Sequence, residues 1–196
     1  MFANRYTAII DACSLASALK RNLLLSLAEA DFFRVRWSEE ILDETERAIF
    51  RIQAGRGVVD AGPRAKRART AMQKAFEDAM VDDFEALIPL CGALPDPGDA
   101  HVLAAALKTQ AATIVTENLR HFPPEILAPL NIEAKSADAF IADTLSLNLP
   151  RGVEAIRTMR IRFKRPELTP DELLLKMDAE GLAETVGELR NYIQLI

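Results

Sequence analysis

The chain has 196 residues, of which 49% are hydrophobic and 27% are charged. It can therefore bury a core, and we expect one domain of ordinary size with a small appendage. The absence of a low-complexity run or fixed-period repeat argues against a disordered or solenoid protein. The formal net charge of −5 argues against a globally basic surface for nucleic acid, although it permits local basic patches.

The cysteines, the N-terminus and the histidines indicate the compartment and the metal chemistry to expect. Cys13 and Cys91 do not form a CxxC pair, and the start at Met1–Arg5 has no signal-peptide pattern. No stretch approaches the roughly 20 apolar residues of a membrane span, so we expect a reducing cytoplasm with both thiols free. Because His101 and His121 are the only histidines, carboxylates are expected to carry any metal chemistry.

Hydrophobic periodicity predicts strands that alternate with helices up to about residue 148. Short apolar or alternating runs predict strands at residues 6–10, 33–37, 113–116 and 132–135. Helical spacing predicts helices over 13–30, from a Ser38 cap to a break at 55–62, over 63–80, over 100–108, and after a Ser136 cap. Short strands alternating with helices imply crossover connections, and therefore an α/β fold whose parallel sheet is covered on both faces.

Beyond about residue 148 the pattern is helical only. Thr169-Pro-Asp-Glu172 is a capping box with proline at the first helical position, which predicts a helix start. Gly181 then separates two short helices. We therefore predict a three-layer α/β/α domain over residues 1–147 and a helical C-terminal extension over residues 148–196.

Acidic and polar side chains follow the predicted strands where open parallel sheets bind their ligands. Asp11 ends the first strand, and Thr116 and Asn118 lie at the end of a later one. Asp96 and Asp99 lie in a proline-rich turn before the intervening helix. If the two strands are neighbours, these groups converge, and close carboxylates persist mainly because a cation neutralises them. Oxygen ligands suit Mg²⁺ or Mn²⁺, which can activate water and stabilise charge on a phosphodiester.

Glu44 joins this constellation through helical geometry, since it lies beside the apolar stripe of its predicted helix and should look along the sheet edge. Each residue also has a local explanation. Asp11 and Asn118 are typical turn residues, Asp99 is a typical helix cap, and Glu44 can pair with Arg47 in solvent. From the residues alone these alternatives stay open. His101 is expected to be a surface or half-buried side chain.

Four sequence blocks resemble the PIN-domain ribonucleases, many of which are VapC-type toxins of bacterial type II toxin–antitoxin pairs. The blocks are IIDACSL (9–15), ILDE (41–44), PDPGDAHVLAAA (95–106) and IVTENLRHFP (114–123), in the family's order within roughly residues 6–145. The resemblance implies a PIN-like fold for residues 1–147. It also implies an endoribonuclease that hydrolyses RNA by a metal-activated water, with Mg²⁺ or Mn²⁺ as cofactor.

The resemblance also implies roles for matching positions. Asp11, Glu44 and Asp99 match the family's acidic metal-site positions, where they are catalytic. Asp96 matches an additional acidic position that is common in one branch. Thr116 matches the hydroxyl position at the end of the fourth strand.

Three positions depart from the family's pattern. Asn118 stands where many relatives have a further aspartate, Cys13 where a small polar residue is usual, and His121 where aspartate is frequent. These departures favour an alternative: a catalytically degenerate PIN-fold module that binds RNA or protein. A phosphatase that forms an aspartyl-phosphate is a third hypothesis, but Asp11-Ala-Cys-Ser lacks the second acid that such enzymes usually need.

Two segments are locally basic despite the acidic total. Residues 47–74 contain one acid, Asp60, and residues 151–165 contain one, Glu154. Beside an acidic metal pocket, such flanks would hold the phosphate backbone of RNA. The same charges could grip the acidic tail of a cognate VapB-type antitoxin. The cluster predicted to bind RNA or antitoxin is Arg64, Lys66, Arg67 and Arg69. The resemblance further implies a homodimer, and no membrane partner is expected.

Overall fold

The computed structural model of the chain describes residues 6–92, 94–164 and 166–196. Its centre is a four-stranded parallel sheet with strand order β2-β1-β3-β4. The strands are β1 (Thr7–Ile10), β2 (Arg34–Arg36), β3 (Thr113–Val115) and β4 (Glu133–Lys135). The predicted strands and their parallel arrangement are confirmed. The residues examined for a signal peptide, Met1–Arg5, lie outside the described residues.

Helices cover both faces of this sheet. Every residue of β1 and β3 is buried, as expected for central strands between two helical layers. The helices up to residue 147 are α1 (Ala12–Ala16), α2 (Ala18–Glu29), α3 (Glu39–Gly55), α4 (Ala61–Ala75), α5 (Ala100–Thr109), α6 (Pro124–Leu127) and α7 (Ala137–Leu147). The predicted α/β/α architecture is therefore confirmed.

Serine caps set the start of two helices where the sequence places them. Ser38 accepts a hydrogen bond from the backbone N–H of Ile41 at 3.3 Å and begins α3. Ser136 accepts one from Ala139 at 3.2 Å and begins α7. A hydroxyl at this position satisfies a backbone donor that the helix itself leaves free.

Two predicted helices are shorter than expected. The helix over 13–30 is broken at Ser17, which is extended (φ −69°, ψ 127°) and caps α2 by accepting from Lys20 N–H. The helix over 63–80 ends at Ala75, because Phe76 leaves the helical conformation and packs edge-on against Trp37, with ring centroids 6.0 Å apart. Residues 85–91, for which no element was predicted, form a 3-10 helix.

The C-terminal region consists of α8 (Leu149–Arg162), α9 (Pro170–Ala179) and α10 (Ala183–Arg190). The capping box at Thr169 is present, with reciprocal bonds to Glu172. Gly181 has φ +78° and separates the last two helices as predicted. Asp138 of α7 accepts hydrogen bonds from the N–H groups of Glu184 (2.9 Å) and Thr185 (2.8 Å), so it ties the start of α10 to the central domain. Within the described ranges, every helix is too short or too polar to span a bilayer.

Gly152 tests how tightly α8 packs on α7. A Cβ added at Gly152 would lie 2.5 Å from Cδ2 of Leu145, and Leu145 is fully buried. We expect Gly152→Ala to lower the free energy of unfolding by about 1 kcal/mol or more, because overpacking outweighs the gain in helix propensity. Urea denaturation followed by circular dichroism measures the change.

Gly187 in α10 is the matched control for this substitution. Nothing in the described part of the chain lies within 4 Å of a Cβ added there. Gly187→Ala should therefore raise the free energy of unfolding by roughly 0.5–1 kcal/mol through helix propensity alone. Equal stabilisation by the two substitutions would contradict the close packing of α8 on α7.

Candidate functional site

Asp11 follows β1 and is held at the carboxyl edge of the sheet. Asp11 is only 4% exposed. Its backbone N–H donates to Val115 O at 2.9 Å, and this hydrogen bond joins the ends of β1 and β3. One carboxylate oxygen accepts from Ala12 N–H at 2.6 Å. The other accepts from the Thr116 hydroxyl at 2.7 Å and from the Cys13 thiol at 3.1 Å. Asp11 therefore caps α1 and also faces the site, so the two interpretations of this residue are compatible.

The three acids that the sequence singles out line one cleft of about 280 Å³. Asp11 comes from the end of β1, Glu44 from the middle of α3, and Asp99 from the 3-10 turn before α5. Asn118 lines the same cleft, and its N–H donates to the Thr116 hydroxyl at 3.0 Å. The neighbouring strands β1 and β3 meet the condition under which these groups were predicted to converge.

Glu44 lies in an environment that disfavours its negative charge. Burial raises the pKa of Glu44 above its ordinary value, and the charges of Asp11 and Asp99 raise it further. His101 and Arg47 act in the opposite direction without cancelling the increase. Burial is therefore the main reason that the ionised form of Glu44 is disfavoured in the cleft.

Asp99 contacts His121, one of the three positions that depart from the family's pattern. Its Oδ2 lies 2.7 Å from His121 Nδ1, and Asp96 Oδ2 lies 3.8 Å from the same nitrogen. One ligand atom from each of these three residues lies within 4.8 Å of the others. Burial raises the pKa of Asp99, and the charges of Asp11 and Asp96 raise it further. The hydrogen bond from His121 lowers this pKa without cancelling the increase.

The prediction that the Asp99 side chain caps α5 is wrong. Asp99 stands at the N-cap position, but with φ −87° and ψ 1° its side chain makes no capping hydrogen bond. Capping side chains normally sit on extended backbone, whereas Asp99 closes a 3-10 turn. This geometry leaves the carboxylate available to His121 and to the cleft. In the sequence, His121 could have been identified as a site residue by its position three residues after Asn118, in the short 3-10 turn that follows β3.

His101 approaches the site from the first turn of α5 and is half-buried, as predicted. Its Nδ1 lies 2.8 Å from Gly98 O. Because that carbonyl can only accept, Nδ1 carries a hydrogen. The other ring nitrogen, Nε2, lies 3.8 Å from Glu44 Oε2; it is buried and has no hydrogen-bond partner among the residues that the structure describes.

Most of the basic side chains predicted to bind RNA or antitoxin are already paired with acids of this chain. Arg64 and Arg67 pair with Asp60. Arg69 contacts three carboxylates of α3, those of Glu39, Asp43 and Glu46. Within the described ranges Lys66 is exposed and forms no ion pair. The structure therefore brings Arg64, Lys66, Arg67 and Arg69 together on α4 but not to the acidic cleft.

The second basic segment is engaged in the same way. Arg151 pairs with Asp31 at 3.3 Å, and Arg162 pairs with Glu29 at 2.6 Å. Arg160 donates to the carbonyl of Leu168 at 2.7 Å. Arg165 lies outside the described residues. By contrast, Arg47 and Arg51 of α3 line the acidic cleft itself.

Comparison with known proteins identifies two families. Residues 7–120 match the PIN domain (PIN_3), and residues 137–191 match the VapC50 C-terminal domain (VapC50_C). A protein of Mycobacterium tuberculosis (strain ATCC 25618 / H37Rv), named Putative ribonuclease VapC50, is 42% identical over 76 residues. These residues make up 39% of this chain and 45% of that protein, so the match spans less than half of the relative. No solved structure matches the chain significantly.

The PIN match covers more than half of the chain and includes the three acids of the cleft. The four-stranded parallel sheet with its helical layers agrees with it. The chain therefore belongs to the PIN-domain family, and its residues 137–191, from α7 onward, match the VapC50 C-terminal domain.

Proposed function

We propose that this protein is a divalent-metal-dependent endoribonuclease and the toxin of a type II toxin–antitoxin pair. The observation that carries the proposal is the convergence of Asp11, Glu44 and Asp99 in one cleft at the carboxyl ends of β1 and β3. The similarity to Putative ribonuclease VapC50 supports RNA as the substrate. We assign the catalytic role to these three carboxylates.

The donor set fits Mg²⁺ or Mn²⁺. Carboxylate oxygens are the ligands these ions prefer. Burial raises the pKa values of Glu44 and Asp99, and a bound cation would offset the cost of ionising them. We propose Asp11, Glu44, Asp99 and Asp96 as ligands. When bound, the ion would activate water and offset charge on the scissile phosphodiester.

Neighbouring side chains orient these acids. Thr116 and Cys13 both donate to Oδ2 of Asp11, which restricts the rotation of that carboxylate. His121 does the same for Asp99. Such supporting hydrogen bonds around ligands typically change metal affinity or activity by about 10–100-fold when they are removed. Asn118 offers a neutral amide oxygen, so the site has one negative charge fewer than a site with aspartate there.

The proposed partners are RNA, a VapB-type antitoxin and a second copy of the chain in a homodimer. As a toxin of this kind the protein would act on RNA in the cytoplasm. Arg64, Lys66, Arg67 and Arg69 remain the proposed contact with RNA or antitoxin, where a ligand would have to replace the intrachain acids. The division into residues 1–147 and 148–196 likewise stays a proposal.

Removing one carboxylate tests the chemistry. We expect Asp11→Asn and Asp99→Asn each to lower Mn²⁺-dependent cleavage of a labelled RNA by more than about 100-fold, because charge stabilisation in the transition state is lost. EDTA should abolish cleavage by the unmodified protein. Circular dichroism checks that both variants keep the fold.

Asp143→Asn is the matched control for these variants. Asp143 lies on α7, is exposed and pairs with Lys135, so this variant should cleave at the rate of the unmodified protein. Cleavage that resists EDTA and both site substitutions would overturn the proposal. An unmodified protein that binds RNA and never cleaves it would support the degenerate module instead.

The stability of Glu44 variants tests metal binding without measuring cleavage. Because the pKa of Glu44 is higher in the folded protein, its ionised form lowers stability at pH 7, and this cost fades as the pH falls through that pKa. Glu44→Gln should therefore raise the melting temperature in EDTA at pH 7. We expect only about 1–2 °C, because the Glu44 side chain is 40% exposed.

Mn²⁺ should have the opposite effect on these two melting temperatures and favour the unmodified protein over Glu44→Gln. It should raise the melting temperature of the unmodified protein more than that of Glu44→Gln, because binding to the folded state adds stability. Glu40→Gln, one turn earlier on the same helix and exposed, should respond like the unmodified protein. An identical Mn²⁺ response in all three would remove Glu44 from the proposed metal site.

A further inference from the structure

A second pocket adjoins the acidic cleft, and two arginines line both. It lies between α3 and α4 and has a volume of about 710 Å³, within the roughly 300–1,000 Å³ range of small-molecule sites. Arg47 and Arg51, one helical turn apart on α3, belong to the lining of this pocket and of the cleft. A ligand in the pocket would therefore lie beside anything bound at the three acids.

These two arginines are available for a ligand. Both are exposed, and within the described parts of the chain neither forms an ion pair. Arg69, in the same pocket, differs because three carboxylates of α3 already surround it. Arg47 and Arg51 are thus positioned to bind anionic groups next to a cleft that would otherwise repel them.

An exposed aromatic ring completes the pocket. Phe50 is 48% exposed and lines the pocket between the two arginines on α3. The facing helix contributes small residues, Gly62 and Ala65; nothing in the described chain lies within 4 Å of a Cβ added at Gly62. A flat group could therefore approach the ring.

We propose that this pocket binds one nucleobase of single-stranded RNA, stacked on Phe50, while Arg47 and Arg51 hold the adjoining phosphates. Proteins bind single strands through this combination of aromatic platforms and basic side chains. Asp43 and Glu46 also line the pocket; both contact Arg69, and each carboxylate keeps lone pairs that can accept further hydrogen bonds. A nucleobase is uncharged and offers N–H donors that carboxylates accept. The inference rests on the proposed ribonuclease function and adds a substrate subsite to it.

A tryptophan at position 50 would report stacking directly. Trp37, the one tryptophan of the chain, is fully buried, so an exposed tryptophan dominates changes caused by ligand. In an Asp11→Asn background, which blocks cleavage, we expect a short single-stranded RNA to quench the fluorescence of the Phe50→Trp variant. An RNA of equal length with abasic sites should quench it much less. Leu175→Trp, at a 70% exposed position on α9, is the matched control and should not respond.

Affinity tests the same subsite. In the Asp11→Asn background, Phe50→Ala should weaken RNA binding about tenfold, and Phe50→Tyr, which keeps the ring, should bind normally. Replacing Arg47 and Arg51 by alanine should reduce the salt dependence of binding. Arg190→Ala, at an exposed position of α10, should leave the salt dependence unchanged.

Two results would overturn the subsite, and each is separable from failure of the proposed function. One is RNA affinity and quenching that do not depend on Phe50 in a protein that cleaves RNA. The other is quenching of Phe50→Trp by a polyglutamate peptide and not by RNA, which would assign the pocket to a protein partner. If the unmodified protein never cleaves RNA yet binds it through Phe50, the subsite stands and the catalytic proposal fails.

Discussion

The parallel pairing of β1 with β3 is the constraint on which the site depends. It places Ile10 opposite Val115, so two segments separated by about a hundred residues end at the same edge of the sheet. There the Thr116 hydroxyl reaches the Asp11 carboxylate at 2.7 Å. Because the strands are buried on both faces, the pairing is held by the whole hydrophobic core. The core therefore provides the rigidity that positions the catalytic candidates.

The cleft brings three carboxylates together, those of Asp11, Glu44 and Asp99. Burial raises the pKa values of Glu44 and Asp99, so keeping these carboxylates ionised carries a cost in stability at this edge. His121 and Arg47 offset part of it. Perturbed carboxylates of this kind occur preferentially at functional sites. A divalent cation bound by these acids, as proposed, would offset this cost.

Helix α3 serves three purposes through different faces of one amphipathic helix. Its apolar stripe, including Ile41 and Ile49, packs into the core. Glu44 faces the cleft, and Asp43 with neighbouring acids neutralises Arg69 of α4. Because those acids pair with Arg69 of α4, they do not pair with Arg47 and Arg51, which border the cleft. These two arginines can therefore bind an anionic ligand. Helix α3 thus contacts the sheet edge, packs against α4 and lines the proposed nucleobase pocket.

Local signals in the sequence determined the strands, the Ser38 and Ser136 caps and the identity of the acids, because they act over a few residues or match a family motif. Tertiary structure alone decided the contact between Asp99 and His121, and which arginines are already paired. It also decided the packing of Phe76 on Trp37, which ends α4 early. These contacts join side chains far apart in the chain, and their partners are fixed by how helices and strands pack. Sequence periodicity specifies which face of an element is buried, but not which side chain meets it there.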